Sequence, residues 1–230
     1  MPTTVWPSIR SHVVRATKND ACGAPVIGPK STIVSDGHIS IKVSPQFEDG
    51  EETAPKNAAG KIAFVDKAQD ELKYLNVEIA FLKVDPELFN MVTGQPIVLD
   101  HAGNATGIRI GATIRSNFGI ETWSDVPGTA CGPDGKLYGY ALLPWLKDGR
   151  LGDFSFENAL ANFTITARTE ANSPWGVGPY DVVLNAPVSP STTPLAGPLL
   201  TPIAADQHIH MEPTSIIYPA TTAGAVPLAP

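Results

Sequence analysis

The chain has 230 residues, and hydrophobic residues make up 43% of it, which is enough for the core of one large domain. Its 20 glycines and 22 prolines are too many for a mainly helical protein and are typical of short strands joined by turns. The formal net charge of −7 argues against a protein that grips nucleic acid, because such proteins neutralise phosphates with Lys and Arg.

Cysteine usage and hydropathy point to a cytoplasmic product. Cys22 and Cys131 have no metal-binding spacing, and we expect both to be reduced, small and half-buried. No apolar run approaches the roughly 18 residues of a membrane span. The N-terminal sequence MPTTVWPSIRSHVVR lacks the apolar centre of a signal peptide. The protein is therefore expected to be made and kept in the cytoplasm unless lysis releases it.

The first part of the chain, residues 1–32, is predicted to be an extended arm that contains one short strand. Beyond it, segments that alternate apolar and polar residues predict half-buried strands. The predicted strands are HVVRAT (12–17), HISIKVS (38–44), KIAFVD (61–66), YLNVEIAFLKV (74–84), GIRIGATIRS (107–116), KLYGYALLPWL (136–146), two strands within 153–169 joined by a turn near 157–159, PYDVVLN (179–185) and one more pairing within 208–219. GPDGK at 132–136 predicts a turn.

Residues 45–60, PQFEDGEETAPKNAAG, differ from the strands on either side. They are acidic, nearly free of apolar residues and broken by Gly and Pro, which predicts a long exposed loop. The acids could ligate Ca²⁺, but their spacing does not fit an EF-hand, and a solvated charged loop is the simpler interpretation.

One short helix is predicted within KVDPELFNMVTG at 83–94. Asp85 can cap its N-terminus, and Pro86 suits the first helical position because its missing N–H is not needed there. Gly94 suits a left-handed C-terminal cap. The apolar face is expected to consist of Leu88, Phe89, Met91 and Val92. A helix this short is not stable alone in water, so we expect it to pack against the sheet.

The C-terminal part is rich in proline. Residues 186–207 cannot form a central strand or a helix and are predicted to run extended along the surface, and residues 221–230 are predicted to be a tail. The predicted organisation is an N-terminal arm and first strand (1–32), a β domain (33–186) and a Pro-rich extension (187–230) that packs on the domain or on neighbours. The fold class is mainly β, a sandwich or barrel with one short flanking helix.

The sequence offers little support for catalysis. His208 and His210 fall on one strand face, but no third metal ligand is evident. Asp100 and His101 are adjacent, but no G-x-S-x-G serine motif accompanies them, and a polar turn explains them better. No paired carboxylates mark a carbohydrate-acting site. We therefore expect no catalytic, metal or cofactor site.

The order of several segments resembles the major tail subunits of long, flexible-tailed phages of actinobacteria. The segments are ACGAPVIGPKSTIVSDGHISIKVSPQFEDGEE, KNAAGKIAFVD, VEIAFLKVDPELFNMVTGQPIVLDHAGNATG and WGVGPYDVVLN. The most specific parts are KVDPELFNMVTG followed by VLDHAGNATG, and the later WGVGPY. The resemblance runs from about residue 21 to the C-terminus.

This resemblance implies a tail-tube protein of the virion. Its subunits would form rings of six whose sheets join into an inner β-barrel, and the rings would stack into the non-contractile tube through which DNA passes without specific binding. Implied partners are other copies, the tape measure protein, and the tail tip and terminator proteins. The long loop would reach a neighbouring ring, with Phe47, Glu48, Asp49, Glu51 and Glu52 as contact candidates. The alternatives are another virion β-protein, such as a head decoration protein or tail terminator, or a hydrolytic tail enzyme.

Overall fold

Strands dominate the fold, and the predicted fold class, mainly β with one short helix, is confirmed. The computed structural model describes residues 10–111, 115–126, 137–154, 163–184 and 196–229. These ranges contain β1 (Arg10–Lys18), β2 (Gly28–Ser35), β3 (His38–Glu48), β4 (Glu52–Thr53), β5 (Asp66–Lys67), β6 (Glu71–Phe81), α1 (Pro86–Thr93), β7 (Ile97–Leu99), β8 (Ala105–Ile108), β9 (Asn117–Asp125), β10 (Tyr138–Leu151), β11 (Phe163–Thr169), β12 (Val183–Leu184), β13 (Ala196–Gly197), β14 (His210–Thr214) and β15 (Val226–Leu228).

Nine of these strands form one antiparallel sheet in the order β15-β2-β1-β9-β10-β11-β6-β3, with β14 also paired to β10. The long strand β10 creates the branch. Its first part, 138–142, pairs with β14, and its later part, from Leu146, pairs with β11. The hydroxyl of Ser11 lies 2.6 Å from Nε2 of His38, which links the start of β1 to the start of β3. The sheet therefore curls back towards itself.

The main core fills the inside of this curl and includes α1. It combines apolar side chains from β1, β2, β6, β9, β10 and β11 with one face of the helix. Its buried members are Val14, Ala16, Ile33, Leu75, Val77, Ile79, Phe81, Leu88, Phe89, Met91, Val92, Phe118, Ile120, Leu143, Leu146, Ile165 and Ala167. The short helix thus closes the core of a sheet that cannot close it alone.

The ends of α1 have the geometry that its residues favour. Asp85 is extended (φ −69°, ψ 131°), and its carboxylate accepts a 2.8 Å hydrogen bond from the N–H of Glu87. Pro86 occupies the first turn, and Gly94 adopts the left-handed conformation (φ 72°). The N–H of Gly94 donates to the carbonyl of Asn90 at 2.7 Å, which satisfies one carbonyl that the helix end leaves free.

Asp85→Ala is expected to lower the free energy of unfolding by about 1 kcal/mol, because an N–H of the first turn loses its acceptor. Chemical denaturation of both proteins measures the difference. Asp153→Ala is the control, since Asp153 is exposed and lies outside any helix, and it should change stability by less than about 0.5 kcal/mol. Equal stabilities for the Asp85 and Asp153 variants would contradict the role of the cap.

A second core lies on the opposite face of β9 and β10, because side chains alternate across a strand. We call residues 173–184 and 196–218 the covering segment. The buried members contributed by the sheet are Trp123, Tyr138, Tyr140 and Leu142, and those contributed by the covering segment are Trp175, Val182, Leu199 and Ile203. The central sheet is therefore packed on both faces.

The covering segment corrects the prediction for 186–207. Leu199 and Ile203 are buried, and Ala196–Gly197 pairs with Val183–Leu184, so this part does not simply run over the surface. Proline removes a backbone donor, but the apolar side chains next to it can still pack. Leu199 and Ile203 pack in this way. Residues 186–195 lie outside the described ranges.

Both ends of the described chain also differ from their predictions. The strand predicted at 12–17 is confirmed within β1, but β1 is an inner strand between β2 and β9 and not part of an arm. Val13, Val14, Arg15, Ala16 and Thr17 are all buried, so the two-sided burial of β1 hides the alternation that marks a half-exposed strand. Val226–Leu228 of the predicted tail pairs with β2. The proposed boundary after residue 32 falls inside β2.

Several predicted strands are present but shifted. The strands predicted at 38–44, 74–84 and 136–146 are confirmed as β3, β6 and β10. Of the described residues, KIAFVD contributes the start of Asp66–Lys67, PYDVVLN contributes Val183–Leu184, and GIRIGATIRS contributes the end of Ala105–Ile108. Residues 112–114 and 185 lie outside the described ranges. The turns predicted at 132–136 and 157–159 lie outside the described residues.

Among the described residues, no helix has the length and apolarity needed to cross a membrane.

Candidate assembly surfaces

A two-stranded arm, residues 49–70, extends from the outer end of β3 and β6. Glu48 and Glu71 pair at its base, Glu52–Thr53 pairs with Asp66–Lys67, and Lys56 bridges to Ile62. The predicted exposure of 45–60 is largely confirmed, but the segment is not a loop: 45–48 belongs to β3, and 49–60 forms one side of the arm and most of its tip. Each side is about 30 Å long at about 3.3 Å per residue.

The tip of the arm is a turn that the sequence KNAAGK supports. The side-chain oxygen of Asn57 accepts hydrogen bonds from the N–H groups of Ala59 (3.0 Å) and Lys61 (3.1 Å). Gly60 adopts a left-handed φ of 76°, which glycine tolerates without strain. Asn and Gly are common turn residues for these reasons, and here they reverse the chain.

The arm has no hydrophobic core of its own. From residue 49 to residue 73 every side chain is exposed except Gly50 and Ala54, which are half-buried. The exposed apolar side chains on the arm and at its base are Phe47 (61% exposed), Ile62, Phe64 (59% exposed), Val65 and Leu72. An isolated two-stranded hairpin is at best marginally stable in water, so these exposed side chains make the arm a candidate contact surface.

The arm base is acidic, and part of this charge is unpaired. Glu48 forms an ion pair with Lys73. Within the described residues, the carboxylates of Asp49, Glu51 and Glu52 form no ion pair. Asp70 is different, because the N–H of Gly50 and the neighbouring Lys67 lower its pKa. All five predicted contact candidates lie at the arm base. Phe47 and Glu48 belong to the end of β3, and the acids at 49, 51 and 52 follow it.

Strand β3 is the long open edge of the sheet. It has eleven residues and, among the described strands, forms its ladder only with β6. The opposite edge, β15, has three residues with Pro227 in the middle, and the short strand β14 contains Pro213. Short, proline-containing edges resist pairing with other chains. β3 also contains Pro45, but its first seven residues, 38–44, contain no proline and leave a longer run of open edge than β14 or β15 does.

Beneath the covering segment lies a buried polar cluster that the sequence did not reveal. Nε and Nη2 of Arg15 each donate to Glu121 at 2.6 Å, and the hydroxyl of Tyr140 donates to the same carboxylate at 2.7 Å. The Arg15 guanidinium stacks on the ring of Tyr180, 3.2 Å from its centroid. Burial and the charge of Glu121 raise the pKa of Tyr140 well above its ordinary value, so its hydroxyl stays a donor. The cluster joins the sheet to the covering segment.

His208 and Asp100, each from a motif considered for chemistry, make structural hydrogen bonds. His208 is buried, its Nδ1 lies 2.8 Å from the Thr169 hydroxyl, and burial lowers its pKa. Asp100 accepts the backbone N–H of Ala102 and of Asn104, which makes the predicted polar turn. Among the described residues, no group of three or more His, Cys, Asp or Glu is placed to hold a metal ion.

The prediction of half-buried cysteines is wrong for Cys22, which is exposed. Its N–H donates to the Asp20 carboxylate at 2.8 Å, as does the N–H of Ala24 at 3.0 Å. These bonds hold a tight surface loop that turns the thiol outward. Cys131 lies outside the described residues.

No protein-family model matches the chain, and no curated protein matches its sequence. The features that bear on function are therefore the arm, the open edge of β3 and the order of segments in the sequence.

Proposed function

We propose that this protein is a structural virion subunit that polymerises into a phage tail tube, as hexameric rings that stack into a conduit for the genome. The observation that carries the proposal is the arm, which exposes apolar side chains and has no core within its own protomer. The resemblance to tail-tube subunits implies that the assembly is a tube of stacked rings. The proposal places the protein in the virion tail after assembly in the host cytoplasm.

The arm is suited to contact between rings. Soluble monomers rarely expose large apolar patches unless these bind something. Burial of Phe47 and Phe64 against another subunit would each contribute about 1.5–3 kcal/mol. Contact with a neighbouring ring would stabilise the arm. Stacking would therefore be specific for a neighbour whose surface fits the arm.

The open edge of β3 is suited to contact within a ring. An extended strand of another copy can add to it through backbone hydrogen bonds. Such a contact joins two different surfaces of identical subunits, and a head-to-tail contact of this kind closes into a ring when the rotation fits. Arm and edge together supply the two contacts that a stacked-ring tube needs.

The overall charge favours the proposed conduit. A chain with a formal net charge of −7 repels DNA phosphates on average and does not trap them through counterion release. In the assembled tail the tape measure, tail tip and terminator proteins would be further partners, and DNA would pass without specific binding.

Replacing residues 49–70 with a short Gly-Ser turn is expected to leave the protomer folded and to abolish stacking. None of the buried core residues lies in that range, and closing β3 and β6 with a shorter turn is entropically easy. Circular dichroism tests the fold, and electron microscopy tests assembly.

Matched substitutions test whether the exposed apolar side chains of the arm are needed for stacking when the arm backbone is kept. Phe47→Ser with Phe64→Ser should weaken stacking, whereas Leu99→Ser with Ile110→Ser should not, although the latter pair is also exposed. Normal tubes from the arm-deleted protein would show that stacking depends on other surfaces. Isolated rings from the wild-type protein would favour a terminator or decoration protein.

A further inference from the structure

A cavity of about 550 Å³ lies between α1 and the adjoining ends of β1, β2 and β9. Polar, basic and apolar groups line it. The lining residues used below are Lys18, Asn19, Lys30, Glu87, Met91 and Arg115. The cavity is therefore basic in a chain that is acidic overall.

Two of the cations in this cavity are available to a ligand. Lys30 is held by Glu87, with Nζ 2.6 Å from the carboxylate, and this contact is the main reason that the pKa of Glu87 is lowered. Lys18 and Arg115 are exposed and form no ion pair with a described carboxylate.

Asn19 provides a second sign that the cavity is incomplete. It is 4% exposed, and its amide group donates to the carbonyl of Pro144 at 2.8 Å. Its side-chain oxygen is buried without a hydrogen-bond partner among the described residues. Buried polar atoms are normally paired, and the partner that suits this oxygen is an N–H donor.

We propose that this cavity receives the acidic arm base, residues 47–52, of a second copy of the chain. The inference rests on the proposed function, since it names the surface that the arm contacts during stacking. Carboxylates from Asp49, Glu51 and Glu52 meet Lys18 and Arg115, and the Phe47 ring packs towards Met91.

The direction of the chain assigns the arm to a second copy. Strand β6 starts at the arm base with Glu71 and ends at Phe81, and α1 starts at Pro86. The cavity lies against α1, so the length of β6, about 33 Å at about 3.3 Å per residue, separates it from the arm base. An arm at one end and its receptor at the other give a head-to-tail contact that repeats without limit along one axis, as stacking requires.

Charge reversal and charge exchange in the full-length chain test this contact. Lys18→Glu with Arg115→Glu should raise the concentration needed for assembly at least tenfold, and so should Glu51→Lys with Glu52→Lys, because like charges then face each other. All four substitutions in one chain restore opposite charges and should return assembly close to wild type. Lys83→Glu is the control, since Lys83 is exposed and lies outside the cavity. Sedimentation and electron microscopy measure assembly.

The outcomes separate this inference from the proposed function. Wild-type tubes that the Lys18 and Arg115 substitutions leave unaffected would overturn the cavity assignment and leave the tube proposal standing. Loss in both double variants without recovery in the fourfold variant would also overturn it. If the wild type forms only short chains that these substitutions dissociate, the contact is supported and the tube is not. A wild type that is monomeric at every concentration would overturn both.

Discussion

Phe89→Ala is expected to lower the free energy of unfolding by about 3–5 kcal/mol, the usual range for removing a buried aromatic ring. Phe89 is 0% exposed and lies on the helix face that closes the main core. Its loss leaves a cavity lined by groups from the helix and the sheet, which relax only partly. The effect is on folding, so assembly should be lost only where the protomer unfolds.

Leu82→Ala is the matched control for this prediction. Leu82 lies just after β6, close to the helix in sequence, but it is 50% exposed. Its replacement should change stability by less than about 1 kcal/mol. Thermal and urea unfolding of the two variants give the comparison. An unchanged melting temperature for Phe89→Ala would mean that α1 does not close the core as described.

Glu121→Ala is the second substitution with a large expected effect, about 3–5 kcal/mol. Glu121 is fully buried and accepts two hydrogen bonds from Arg15 and one from Tyr140. Without it the Arg15 charge stays buried and unpaired, which is the costly state. Because Arg15 also stacks on Tyr180 of the covering segment, that segment should become more accessible to protease before global unfolding.

A combined variant distinguishes the cost of leaving Arg15 unpaired from the net contribution of the Arg15–Glu121 ion pair to stability. Arg15→Met, Glu121→Leu and Tyr140→Phe together remove the charges and the hydroxyl that the carboxylate satisfies. This variant should be more stable than Glu121→Ala, because no buried group is left unpaired. Asp36→Ala is the control, since Asp36 lies 3.9 Å from Lys83 in an exposed pair and should contribute less than about 1 kcal/mol. A neutral Glu121→Ala would contradict the account of the cluster.

The parts of the fold that the sequence predicted are those specified locally. The helix has its cap, its first-turn proline and its terminal glycine within ten positions, 85–94, and β3 and β6 alternate because one face is exposed. The strand within β1 was predicted at 12–17, but it was placed in an arm because its burial on both faces depends on β2, β9 and the covering segment. The Pro-rich segment was assigned to the surface because nothing local shows which of its apolar residues find a core.

The candidate surfaces were also predictable only where a local sequence pattern specifies them. Composition alone located Phe47 and the acids around it, but the pairing that makes the arm joins Glu52–Thr53 to Asp66–Lys67 across a turn that was assigned to a loop. Arg15 and Glu121 are 106 positions apart, and Lys18 and Arg115 line one cavity because β1 and β9 are neighbours in the sheet. Contacts between distant positions leave no local pattern, so a single sequence could not show them.

Negative-stain electron microscopy of the purified full-length protein tests the central claim most directly. The protein is imaged over a range of concentrations and salt, because screening weakens both the repulsion between like-charged subunits and the attraction between the arm base and the cavity. The account predicts hollow tubes of uniform diameter with a regular axial repeat, and folded protomers without tubes from the arm-deleted protein. Monomers under every condition, or tubes that form equally well without residues 49–70, would contradict it.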